Sequence, residues 1–153
     1  MAEVLFLYTT DERENAEQLK RFLQVKMGNA INFISATDVF AEDRDIESVL
    51  ENCACVVLVC SKQANEFIKN RRQEVEDGYV TFDGLLLSTT LEGREMLKKL
   101  LVVYFQKGVS QWKPDAVNTN SIYMIQEKFG SQDAIIDHLS DLIRAIITPC
   151  TTA

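Results

Sequence analysis

Cys55-Val56-Val57-Leu58-Val59-Cys60, followed directly by Ser61-Lys62, is the most strand-like stretch of the chain, rich in valine and bounded by polar positions. A run without polar alternation reads as a strand covered on both faces, so it belongs near the centre of a parallel sheet. Working outward, Val4-Leu5-Phe6-Leu7-Tyr8 and Leu100-Leu101-Val102-Val103-Tyr104-Phe105 have the same character. Ile31-Asn32-Phe33-Ile34-Ser35 reads as a further strand and residues 121–126 as a short edge strand.

The intervening segments have helical spacing. Asp11 and Glu14 resemble a helix start, Ala16, Leu19, Phe22, Leu23 and Lys26 follow on one face, and Gly28 is a plausible stop. Ile46, Val49, Leu50 and Cys53 mark a second helix. Over 61–99 the spacing predicts helix in at least two pieces, one marked by Ala64, Phe67 and Ile68 and another by Phe82, Leu85, Leu86, Thr89, Met96 and Leu97. Gly78, Gly84 and Gly93 blur those boundaries. Residues 106–120, with Trp112 and Pro114, read as loop. Ser131 can cap a last helix whose apolar stripe is Ile135, Leu139, Leu142, Ile143 and Ile146, ending before Pro149.

Strands alternating with helices require right-handed crossovers. The expected fold is therefore α/β: a flavodoxin-like, TIR-like open sandwich with a five-stranded, mainly parallel sheet of order 2-1-3-4-5 and helices on both faces. A length of 153 residues suits one domain over 1–148, with 149–153 as a loose tail.

Composition narrows the function. Sixteen Lys plus Arg against 23 Asp plus Glu give a net charge of −7, the wrong sign for a generic nucleic-acid or anionic-membrane binder. No apolar run reaches the roughly 18 to 20 residues of a membrane span, and the first ten residues lack a basic leader. The expected setting is cytoplasmic, with Cys53, Cys55, Cys60 and Cys150 as reduced thiols. Cys53-x-Cys55 lacks the spacer of a structural zinc pair and the only histidine, His138, is distant, so no metal site is expected.

Ligands of such sheets bind beyond the carboxyl ends of the strands. Thr9-Thr10-Asp11-Glu12, after the first strand, has no glycine to admit a phosphate. Cys60-Ser61-Lys62 stands where a phospho-accepting receiver domain needs an aspartate. Asp137, His138 and Ser140, one or two apart on a helix, diverge instead of forming a triad. Arg71-Arg72 and Lys98-Lys99 read as solvated pairs.

Taken in order, Val4 to Tyr8 with Thr9-Thr10-Asp11, the acidic stretch 38–45 and Val56-Val57-Leu58-Val59-Cys60-Ser61-Lys62 resemble the TIR and SEFIR superfamily. The valine-rich strand ending in Cys-Ser-Lys is closest to SEFIR domains, found in interleukin-17 receptor tails and their cytoplasmic adaptor. The 37–44 loop lacks the Pro-Gly pair common in TIR domains, and no tryptophan-containing helix motif follows Lys62. The resemblance implies a cytoplasmic interaction module that assembles receptor and adaptor signalling complexes, of innate-immune or cytokine type, by contacts with other TIR/SEFIR domains or with its own copies. No cofactor is implied.

Val39 and Phe40, set among Asp38, Glu42, Asp43, Arg44 and Asp45, have the apolar centre and polar rim of an interface. Phe40 is the expected anchor and Arg44 the expected cross-domain cation; the plainer alternative folds Phe40 onto its own core. Some TIR domains instead cleave NAD as substrate with a glutamate on the helix after strand three, for which Glu66 and Glu74 are the positional candidates. Neither sits in the aromatic context usual for that family, and ordinary helix-surface salt pairing with Lys69, Arg71 and Arg72 is an adequate explanation of both.

Overall fold

The computed structural model describes residues 2–76, 78–90, 93, 98–105, 122–125 and 137–151. Val57, in β3 (Cys55–Val59), lies between Phe6 of β1 (Ala2–Leu7) and Leu101 of β6 (Leu100–Tyr104). With β2 (Ile31–Ser35) beyond β1 and β7 (Ile122–Met124) beyond β6, the sheet has the order β2-β1-β3-β6-β7 and every pairing is parallel. This is the expected flavodoxin-like order, in which the fourth and fifth predicted strands are β6 and β7.

Alternation along β3 explains why its apolar run is unbroken. Val56 and Leu58 enter one core with Leu5, Leu7 and Val102, while Val57 and Val59 enter the other with Val4, Phe6 and Val103. The second core is covered by α1 (Arg13–Met27), through Ala16, Leu19 and Leu23, and by α6 (Asp137–Thr151), through Leu142 and Ile146. The first core is covered by α2 (Ala36–Ala41), α3 (Ile46–Asn52), α4 (Lys62–Lys69) and α5 (Gly84–Thr90). Each fully buried Leu or Val there contributes about 1.5 to 3 kcal/mol of transfer free energy.

Local chemistry sets the ends of several helices. Gly28 closes α1 at φ +64° and donates its N–H to Gln24 O. Ser35 accepts from the Asp38 N–H while the Asp38 carboxylate accepts from the Ser35 N–H, a complete capping box. Asp45 caps α3, and Ser61 caps α4 by accepting from the Ala64 N–H at 3.0 Å.

Four expectations are corrected. The 61–99 stretch is interrupted by an antiparallel hairpin, β4 (Gln73–Glu76) and β5 (Tyr79–Asp83), so Phe82 and Glu74 lie on strands. The first part of the 37–44 loop is the helix α2, initiated by its capping box. Asp11 does not cap α1, which follows a short 3-10 turn (Thr10–Glu12) with no side-chain cap. Pro149 does not stop the last helix, since a proline within the final turn removes only one backbone donor and α6 runs on to Thr151. The expectations at Met96, Leu97, 106–120, Ser131 and Ile135, and those for the side chains of His138 and Leu139, lie outside the described residues.

Candidate functional site

The carboxyl ends of β1, β2 and β3 meet the start of α1, α2 and the β4–β5 hairpin. Where β1 ends, Thr9 is fully buried and its hydroxyl donates to the Asp11 carboxylate. Ser61, one residue past the end of the β3 run, places its Oγ 3.2 Å from the same oxygen of Asp11 and 3.0 Å from Thr9 Oγ1. Asp11 thus collects two hydroxyls from two neighbouring loops.

The hairpin is fastened to this edge by Glu74, 8% exposed. Its carboxylate accepts from the Thr10 N–H at 3.2 Å, the Thr10 hydroxyl at 3.0 Å and the Thr81 hydroxyl at 2.9 Å. A buried carboxylate avoids a large desolvation penalty only when its lone pairs are so occupied. A second tie is the ion pair of Arg13 with Glu76, one arm of which is 3.0 Å. The hydrogen bond from Arg13 holds the Glu76 carboxyl below the ordinary range.

Between α1, α2 and the hairpin lies an open cleft of about 600 Å³, lined in part by Tyr8, Glu17, Asp38, Phe40 and Tyr79. Burial, with a hydrogen bond donated to Glu17, pushes the Tyr8 phenol above its ordinary range. Burial would likewise raise Asp38, but bonds from Lys20, at 2.7 Å, and from Ser35 outweigh it and hold the carboxyl low. Most charges of the cleft are therefore engaged with one another, and what it offers a visitor includes exposed Arg21 and the rings of Phe40 and Tyr79. Among the described residues no buried side-chain nitrogen or oxygen lacks a partner, and no group of three or more His, Cys, Asp or Glu could hold a metal.

The structure separates the residues expected at the interface. Val39 is fully buried in the first core, and Arg44 donates two bonds to Glu3 within the chain. Phe40 is partly buried at the cleft, Asp38 is bonded to Lys20 and Ser35, and Glu42, Asp43 and Asp45 are exposed. Glu66 is exposed on α4, whereas Glu74 is buried on β4 and not on a helix. Composition reasoning missed the hairpin residues Glu76, Tyr79 and Thr81. Their signal was Asp77-Gly78 ahead of Tyr79-Val80-Thr81-Phe82, a hairpin turn followed by a β-prone run.

No protein-family model matches the sequence, and no curated protein matches it. Among solved structures, the crystal structure of a prokaryotic SEFIR domain superposes with a TM-score of 0.58 at 15% identity, over 95% of this chain and 92% of that one. No helix among the described residues is long and apolar enough to cross a membrane. In fold, then, the chain is an open α/β sandwich similar to that of this SEFIR domain.

Proposed function

We propose that the chain is a cytoplasmic protein–protein interaction module that assembles receptor and adaptor signalling complexes, of innate-immune or cytokine type, through contacts between like domains. The observation that carries the reading is the hairpin, which leaves Val75 and Tyr79 59% and 61% exposed, with Tyr79 on the same cleft as Phe40. Exposed Glu42, Asp43 and Asp45 supply a polar rim near α2. Apolar anchors with a charged border are the composition of a protein interface.

The test is sedimentation of the purified chain, and pull-down with SEFIR or TIR domains, for the wild type, Phe40→Ala and Tyr79→Ala. Each substitution should weaken association by about 1 to 2 kcal/mol in protein that still unfolds cooperatively. Association unaltered in both variants would remove this surface from the interface.

A second reading, cleavage of NAD as substrate, is favoured by one feature: Thr81, which holds the buried Glu74, lines the cleft. Nicotinamide release by concentrated protein, lost in Glu74→Ala or Glu66→Ala with folding intact, would establish it over the interaction module.

A further inference from the structure

At the amino edge of the sheet, opposite the cleft, two thiols from distant parts of the chain share one core. Cys55 opens β3 and is 1% exposed, while Cys150 lies in the last turn of α6, half-buried and packed against the same core. The two side chains are therefore neighbours within one core, and each acts on the other's electrostatics. Cys150 also borders an open cavity of about 650 Å³, together with Cys53 and Pro149, so solvent reaches its neighbourhood. Cys53 is turned the other way, its Sγ donating to Leu50 O at 3.4 Å in the first core.

We propose that Cys55 and Cys150 are a redox-reactive pair that a peroxide converts into a reversible disulfide, stapling the last turn of α6 to the start of β3.

Cys150 is the sulfur that meets the oxidant, because it is the more exposed of the two. Its thiolate attacks one peroxide oxygen, the O–O bond breaks, and the departing hydroxide takes up the thiol's proton to leave as water. The sulfur of Cys55 then attacks the resulting Cys150 sulfenic acid. The S–S bond forms, the S–O bond breaks, and the hydroxide leaves with the Cys55 proton as a second water. Two thiols lose two electrons in all, and one peroxide becomes two waters. Burial holds both thiols above the ordinary range, so little thiolate is present at neutral pH and the first step is slow. Pro149 has no N–H to donate within α6, so the turn that carries Cys150 has one fewer backbone bond to break on adjusting to the bridge.

The test uses the purified chain held with excess hydrogen peroxide for hours, then alkylated, mapped by peptide mass spectrometry without reduction and titrated for thiols under denaturing conditions. The free thiol count should fall from four to two, with a peptide pair joined through Cys55 and Cys150 and lighter by two hydrogen atoms. Dithiothreitol should restore all four. Cys150→Ser should abolish the joined pair, and Cys53→Ser should retain it, each in protein that melts cooperatively. A bridge through Cys53, a disulfide between two chains, or oxygen added at Cys150 with no bridge would each overturn the proposal. Because the wild-type map alone decides which sulfurs are joined, a variant that fails to fold does not protect the idea.

Discussion

Arg44 donates to both carboxylate oxygens of Glu3, at 2.8 and 2.7 Å, and thereby ties the segment after α2 to the first strand. The planar fork of a guanidinium matches a carboxylate in this way, and a lysine would not reproduce it. The cation that the sequence offers to a partner is thus engaged inside its own chain.

This pair has a signature in acid. The hydrogen bond from Arg44, against an opposing burial effect, holds the Glu3 carboxyl below its ordinary value of 4.5. A depressed folded-state value contributes stability that is present above the unfolded value and is lost as pH falls through the folded one. The melting temperature of the wild type should therefore exceed that of Glu3→Gln at pH 7, and the gap should narrow as pH drops below 4.5. A gap that is constant down to pH 2 would refute the linkage.

Gly84 is required by space. Its N–H donates to Arg72 O at 2.9 Å, and a Cβ there would stand 2.5 Å from that oxygen and closer still to the Phe67 carbonyl. Backbone cannot yield as a flexible side chain can, so Gly84→Ala should destabilise by about 3 kcal/mol, whereas Gly93→Ala, on an exposed residue, should not. Urea unfolding of the two variants checks it.

In the core, Val57→Ala and Leu58→Ala should each cost about 2 to 4 kcal/mol from lost transfer energy and residual cavity. Glu42→Ala, on the exposed side of the segment after α2, should stay within about 0.5 kcal/mol. Similar melting shifts for the two kinds of variant would contradict the central place of β3.

Glu74→Ala removes the acceptor shared by Thr10 and Thr81, and should cost about 1 to 3 kcal/mol while loosening the hairpin from β1. Amide exchange should show that loosening first in β4 and β5. Full retention of protection there would mean that the hairpin is held by Phe82 and the Arg13–Glu76 pair alone.

Ionic strength distinguishes self-association from binding to a basic partner. Copies that each carry a net charge of −7 repel, so added salt should strengthen any homotypic complex. Association with a basic partner should instead slow as salt rises. Self-association that weakened with salt would require local pairing of opposite charges across the interface.

Most of the sheet was legible because its strands are covered on both faces, and a continuous apolar run such as Val56 to Val59 has no other comfortable place. The hairpin was not legible from the same signal. Gln73-Glu74-Val75-Glu76 has a single apolar residue, and that one, Val75, faces solvent while Glu74 is buried. Its inward polarity is inverted because its partners are the hydroxyls of Thr10 and Thr81, supplied by the fold and invisible to periodicity. For the same reason Arg44 reads as free in sequence, since Glu3 lies far earlier in the chain. Val39 and Phe40 are adjacent in sequence yet differ in fate, because a helix turns them onto different faces.

The hairpin also bears on the order in which the chain folds. Val75 meets Val80 only five residues on, whereas Val56 meets Leu100 only after α4, the hairpin and α5 have been laid down between them. A local hairpin closes on the order of microseconds, while a pairing across so long a segment must first overcome the entropy of gathering it. The unions of β3 with β6 and with β1, whose partners Val4 and Cys55 are further apart still, are therefore expected to follow the hairpin. Until they form, both edges of the valine-rich β3 are bare, and an unpaired apolar strand edge invites aggregation.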